Sequence, residues 1–161
     1  MFHYAQQACL RMHGTTNFTV ILCDPPWNNT GCKLGYITLK NKEWMSKLDF
    51  SLLQDNGYVF MWVSNLNYAS AISFMKKQSY KMVENITWVK ITKDGRELRA
   101  ILGAGTKHCK EDCLVFRKVN KNSKVTSFAN LYKARNVIHA APTGTSRKPI
   151  QLYETIELMT K

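Results

Sequence analysis

Thr19-Val20-Ile21-Leu22-Cys23-Asp24-Pro25-Pro26-Trp27 is the stretch on which the reading of this chain turns. From Thr19 to Cys23 every residue is β-branched or apolar and none is charged, which suits a strand buried on both faces. Asp-Pro-Pro then ends it. Neither proline can donate to a sheet ladder, and a residue before proline is held in extended geometry. The chain is expected to leave the sheet as a stiff, extended tetrapeptide presenting one carboxylate, bare backbone carbonyls and one indole. In open α/β sheets ligands sit beyond the carboxyl ends of the strands.

Such a set of groups suits transfer to an exocyclic amine. The N6 nitrogen of adenine is planar and its lone pair is delocalised, so it is a poor nucleophile. Two acceptors, the Asp24 carboxylate and the Pro25 carbonyl, can bind its two N–H groups and favour a more tetrahedral nitrogen. That aims the lone pair at an electrophilic methyl and stabilises positive charge only as it develops. Rigidity matters because in-line attack needs the reacting atoms ~3–3.5 Å apart. Trp27, with Pro26, can offer a flat wall for the base.

Asp24-Pro25-Pro26-Trp27 after an apolar strand resembles the catalytic motif of the METTL/MTA adenine-N6 methyltransferases, which use S-adenosylmethionine (SAM). By itself the tetrapeptide could also be a Pro-Pro turn after a core strand. Softer matches accompany it. Leu34-Gly35-Tyr36 is similar to the family segment whose tyrosine faces the incoming base, although Tyr36 could equally be half buried at the start of the next element. His108-Cys109-Lys110-Glu111-Asp112-Cys113 resembles a family element that sets Glu111 close to the base. Its alternative is a surface carboxylate offsetting nearby lysines. Ser146-Arg147-Lys148-Pro149 resembles a segment whose lysine, here Lys148, contacts the methionine end of SAM and whose serine, Ser146, contacts the base. Arg147 departs from the His of messenger-RNA relatives. Near Gln6 and Gln7 the family's Asp is missing, so no SAM role is carried over there.

The totals agree with a nucleic-acid enzyme without requiring one. The chain has 161 residues, 45% of them hydrophobic, enough for one domain with a real core. A net charge of +12 favours a polyanion but carries no sequence preference. Five cysteines, an odd number, read as reduced and intracellular. No run of about 18 apolar residues argues for a membrane span. His108, Cys109 and Cys113 are ligand types that suit zinc, but no second C-x-x-C or H-x-x-x-H completes four ligands, and no metal is expected.

Along the chain, strand and helix signals alternate, which argues a doubly wound α/β sheet. A short helix is expected over Tyr4–Met12, then a mouth-lining loop at Asn28–Lys33. Asn41 or Ser46 can cap a helix running to about Leu53. Tyr58–Val63 reads as a second buried strand, followed by a helix from Ser64-Asn65 to Lys77 and a strand from Tyr80 to Val89. Lys93–Lys110 is long, basic and glycine-containing, and reads as a clamp on a phosphate backbone or as a solvated loop. Leu114–Phe116 and Val137–Ala140 read as strands, with a polar, flexible excursion over Lys118–Lys133 between them. Pro149 suits the first turn of a last helix, Ile150–Met159, with Ile150, Leu152, Tyr153, Ile156 and Met159 facing the core. Hydroxyls and cations feeding that helix make a natural anion site.

The resemblance covers Phe18 to Met159. It implies a Rossmann-like SAM-dependent methyltransferase sheet with helices on both faces. It further implies a catalytic subunit in which Asp24, Pro25, Pro26 and Trp27 do the chemistry and Asp24 and Lys148 bind the cofactor. Tyr36, Glu111, Ser146 and Lys148 would meet the substrate. Overall likeness leans to the ciliate-type DNA enzymes, so DNA is favoured over RNA. Such subunits pair with a degenerate methyltransferase homologue and further DNA-binding subunits, in the nucleus. In the family a further strand and loop close on SAM after the last helix. Residues 1–161 are therefore expected to be a single methyltransferase domain, incomplete at its C-terminus and impaired in SAM binding alone. The rival reading is a non-catalytic, nucleic-acid-binding scaffold.

Overall fold

The computed structural model describes residues 18–27, 40–98, 105–118, 128–144 and 146–160. The expectations for Tyr4–Met12, Gln6, Gln7, Asn28–Lys33 and Tyr36 lie outside them, as do parts of the Lys93–Lys110 and Lys118–Lys133 segments.

Five strands, β1 (Val20–Cys23), β2 (Tyr58–Val63), β3 (Tyr80–Lys90), β4 (Lys110–Lys118) and β5 (Val137–Ala140), make one mixed sheet in the order β1-β2-β4-β3-β5. β1 and β2 run parallel with Val20 opposite Tyr58 and Cys23 opposite Met61. β3 and β5 are also parallel, Thr87 facing Val137 and Lys90 facing Ala140. β4 runs against β3: Lys90 N–H donates to Cys109 O, and Thr87 meets Asp112. Together with α1 (Asn41–Met45), α2 (Tyr68–Lys77) and α3 (Gln151–Thr160), this is the α/β class that the alternation predicts.

The described residues fall into two compact units, and β3 and β4 run through both. The first holds the residues up to Val83 with the Val115 end of β4. Its centre is β2, buried at all six positions because strands of a sheet covered on both faces need apolar side chains on both. Trp44, Phe74, Phe50 and Tyr80 pack edge-to-face beside it, with centroids 5.4 to 6.3 Å apart. Buried Gln54 ties the start of β1 to this core. Its amide donates to Phe18 O at 2.8 Å and its carbonyl oxygen accepts from the Tyr80 hydroxyl at 2.8 Å.

Several boundaries differ from the sequence expectation. β1 is half-buried rather than buried, because among the described strands it is a sheet edge. The helix expected to run to Leu53 stops at Met45, and a separate 3-10 turn covers Phe50–Leu52. Side chains compete with the helix ladder there: Ser46 Oγ donates to Glu43 O, and the Asp49 carboxylate accepts from Ser51 N–H at 2.8 Å. Neither Asn41 nor Ser46 is the N-cap; Lys40 is. α2 is preceded by a 3-10 turn over Asn65–Asn67 and buries Ala71, Phe74 and Met75, leaving Leu66 and Ile72 exposed.

The second unit takes in Glu84–Leu114 and the residues from Phe128 on. α3 buries Leu152, Ile156 and Met159, a narrower stripe than predicted, since Ile150 and Tyr153 face outward. Pro149 lies before the helix and is buried there, its carbonyl accepting from Leu152 N–H. β5 alternates, with Ile138 and Ala140 in and Val137 and His139 out. Trp88 fixes β3 to it by donating its indole N–H to Ala140 O at 2.9 Å.

Candidate active site

The Asp-Pro-Pro-Trp segment follows the last residue of β1, in the first unit. Asp24 is exposed, Pro25 buried, Pro26 half-buried and Trp27 only 5% exposed. The segment is not extended throughout. Trp27 N–H donates back to Pro25 O at 2.8 Å, closing a three-residue turn centred on Pro26. Proline's fixed φ lies close to what an inverse γ-turn asks of its central residue. The Pro25 carbonyl is therefore not bare: one lone pair is taken and one remains.

Trp27 does not form the flat wall that its sequence position suggests. Its indole N–H donates to Trp62 O at 2.7 Å, and its ring meets Trp44 edge-on at 4.9 Å. Its work is to pin the turn to the end of β2, so that Asp24 stands on a segment fixed from behind. Cys23, the last strand residue, is pushed well above the ordinary thiol range by burial and then by the charge of Asp24. It stays a neutral thiol beside the carboxylate.

The second unit holds the other described candidates. Glu111 bridges two ammonium groups: Lys90 Nζ lies 2.6 Å from one carboxylate oxygen and Lys148 Nζ 3.0 Å from the other. Burial alone would raise this carboxyl, but the charge of Lys148 and hydrogen bonds from Lys90 and Lys148 outweigh it and hold the group below the usual range. The Glu111–Lys148 pairing predicted only as two separate contacts is thus direct. Two cations on one anion leave a local excess of one positive charge.

Lys90 was not singled out by sequence reasoning. The signal was the β3–β4 register: Lys90 ends β3, Glu111 sits near the start of β4, and antiparallel pairing makes them neighbours. Lys90 also lies 5.0 Å above the Trp88 ring, which fixes its stem. Next to this bridge, buried Asp112 accepts from Thr87 Oγ1 at 2.6 Å and pairs with Lys110. Asp112 and Cys113 are both buried, as neighbours on opposite faces of a covered strand must be.

Ser146 is exposed and takes a left-handed φ of 59°, with Arg147 N–H closing back on Gly144 O. Few non-glycine residues adopt that conformation, so the hydroxyl is presented by a turn that constrains it. Lys148 follows, turned to Glu111 rather than to the start of α3. Among the described residues no group of three His, Cys, Asp or Glu side chains could hold a metal, and no helix is long and apolar enough to cross a membrane.

The profile that defines the MT-A70 family matches residues 18–161, which include every described element of this site. The chain belongs to the MT-A70 family. Among curated proteins it is 35% identical over 141 residues to the N(6)-adenosine-methyltransferase subunit METTL3 of Danio rerio, covering 87% of this chain and 23% of that protein. The catalytic subunit METTL3 of Homo sapiens is 34% identical, with the same 87% and 23% coverage. The N(6)-adenosine-methyltransferase MT-A70-like protein of Arabidopsis thaliana is 34% identical, covering 91% of this chain and 20% of its own length. This MT-A70 chain thus spans less than a quarter of the length of these relatives.

Proposed function

We propose that the chain carries the catalytic segment of a methyltransferase that places a methyl group on adenine N6 in nucleic acid, with SAM as donor. The observation that carries the reading is Asp24, an exposed carboxylate on a Pro-Pro turn pinned from behind by the Trp27–Trp62 bond.

The groups present suit the donor. SAM has a carboxylate at its methionine end, which the excess positive charge around Glu111 suits, and cationic groups, which Asp24 suits. Bound SAM would supply a methyl made electrophilic by its sulfonium. Asp24 and Lys148 are the residues proposed to hold it.

For the amine, Asp24 accepts one N–H and the remaining lone pair of the Pro25 carbonyl accepts the other. Both acceptors strengthen as the nitrogen gains positive charge, so they favour the transition state over the ground state. After transfer the amine's proton leaves to Asp24 or water. Trp27 and Pro26 hold the acceptors still. Glu111, Ser146 and Tyr36 are proposed as base contacts and Lys148 as a contact to base and donor alike.

The sequence reading leans to DNA. The relatives' names, adenosine methyltransferases, speak of the ribonucleoside, and for that reason we favour RNA as the substrate and keep DNA as the competing arm of the test. A degenerate homologous subunit as partner, and a nuclear location, belong to the same proposal.

The test offers matched RNA and DNA oligonucleotides and methyl-labelled SAM to the protein at its natural length, with candidate partner subunits, as wild type and as Asp24→Ala. Label on adenine N6 of RNA that falls roughly 100-fold or more with Asp24→Ala is expected, by comparison with loss of a transition-state hydrogen-bonding group. Label on DNA alone reverses the substrate. Nucleic-acid binding with no label on either would replace the enzyme by a scaffold.

A further inference from the structure

The first unit carries a second polar surface that the methyl-transfer reading does not use. A shallow groove of about 940 Å³ runs between α1, the turn after it, and α2. One wall is Lys42 and Ser46, four residues apart and so on one face at the α1 end. The other is Ser70, Ser73 and Lys77, at i, i+3 and i+7 on the face of α2 opposite buried Ala71, Phe74 and Met75. Lys118 rises from the floor beside Phe74 and Leu48.

Three features mark this groove as a place for an anion. Lys42 and Lys77 are exposed and form no ion pair with a described residue. The Ser70 and Ser73 hydroxyls lie on an exposed helix face and make no hydrogen bond within the described residues. Lys118 is fixed: its Nζ donates to Gln78 O at 3.0 Å and lies 4.6 Å from the Tyr80 ring centroid. Partial burial lowers its pKa, opposed by the charges of Asp49 and Asp55. Asp49 is the one carboxylate lining the groove, and it is engaged by the backbone and hydroxyl of Ser51.

Three lysines against one occupied carboxylate, with hydroxyl donors between, match a line of phosphates. The half-buried Met45 and Leu48 on the floor suit the apolar side of a sugar or base. We infer that this groove binds the phosphate backbone of nucleic acid, so that α1 and α2 grip a strand apart from the Asp-Pro-Pro-Trp turn. The inference rests on nucleic acid being the substrate. A docked acidic protein segment is the alternative occupant.

The test measures binding of a fluorescent single-stranded oligonucleotide across a salt series, using the protein at its natural length. Lys42→Ala/Lys77→Ala is compared with Lys133→Ala/Arg135→Ala, which removes equal charge from the second unit. Lys118 is left intact because it also caps α2. At about 0.1 M salt each lost phosphate contact costs up to about eightfold, so the groove pair is expected to weaken binding roughly ten- to sixtyfold. It should also lower the slope of log K against log salt by about two, one per lysine. The control pair should change either quantity by less than about threefold.

Equal loss from both pairs would reduce the effect to net charge and overturn the groove, as would no loss from the groove pair. Displacement of the oligonucleotide by polyglutamate at equal charge concentration would give the groove to an acidic protein instead. Methyl transfer by the unmutated protein is measured alongside. Label without groove-dependent binding overturns the groove alone; groove-dependent binding without label overturns the methyltransferase reading alone.

Discussion

Trp27 donates its indole N–H to the backbone carbonyl of Trp62 at 2.7 Å, joining the turn after β1 to the end of β2 across 35 residues of sequence. The proline turn has no ladder of its own to hold it, so this bond and the Trp44 contact give Asp24 a rigid base.

Trp27→Phe keeps most of the ring but removes the donor, leaving a buried carbonyl one partner short. A loss of about 1 to 3 kcal/mol is expected from that deficit. Urea unfolding should show it as a lower midpoint with an unchanged slope. Methyl transfer should fall further than stability does, because the acceptors lose their fixed position. An unchanged midpoint would mean that the indole bond holds nothing.

Lys90→Met tests the bridge at Glu111. The carboxyl sits below its ordinary value in the folded chain because two lysines outweigh burial. A depressed carboxylate contributes stability that is fully present above its unfolded value, near pH 4.3, and is lost as pH falls through the folded one. Without Lys90, burial is less opposed and the Glu111 pKa rises. The stability gap between wild type and Lys90→Met should then be widest at about pH 6 to 7 and shrink towards about pH 3. NMR titration of the Glu111 carboxyl reads the shift directly; an unmoved titration would leave Lys148 as the sole partner that matters.

Cys23 reports on the charge of Asp24. Burial, and after it Asp24, keeps the thiol protonated, so alkylation by iodoacetamide at pH 8 should be slow in the folded protein. Asp24→Asn removes the smaller cause and leaves the larger. Alkylation of Cys23, followed by mass spectrometry, should quicken by a few-fold, roughly two to five, without reaching the rate of an exposed thiol. No change would indicate that Asp24 is not ionised beside it.

What could be read from the sequence was what depends on local pattern. Tyr58–Val63 and Val137–Ala140 are strands at the expected residues because their apolar runs leave no helical alternative. Asp24 lies after a strand because prolines end strands wherever they occur. What escaped depends on register and on distant partners. Nothing local says that Trp27 meets Trp62 instead of a base, or that β3 and β4 align so that Lys90 reaches Glu111. The early end of α1 is a contest between helix bonds and the side chains of Ser46 and Asp49, and composition does not decide it.

Gly57 sets where β1 begins, and its replacement should be severe. It has a φ of 143°, and a Cβ there would lie 2.2 Å from Thr19 O and 2.6 Å from the Gln54 amide nitrogen. That carbonyl is no bystander. It accepts from Tyr58 N–H at 2.9 Å, the bond that opens the β1–β2 pairing, and Gln54 carries the contact to Phe18 O. Gly57→Ala must push β1 away from β2 or twist the turn, and either strains the strand that leads into Asp24. A loss of roughly 2 to 4 kcal/mol is expected from combined backbone strain and clash. Thermal and urea unfolding measure it. Because the displacement is passed along β1, methyl transfer should fall even at temperatures where the variant remains folded. Wild-type stability in Gly57→Ala would mean that β1 can shift freely, and the rigidity assigned to the Asp24 turn would then have to come from Trp27 alone.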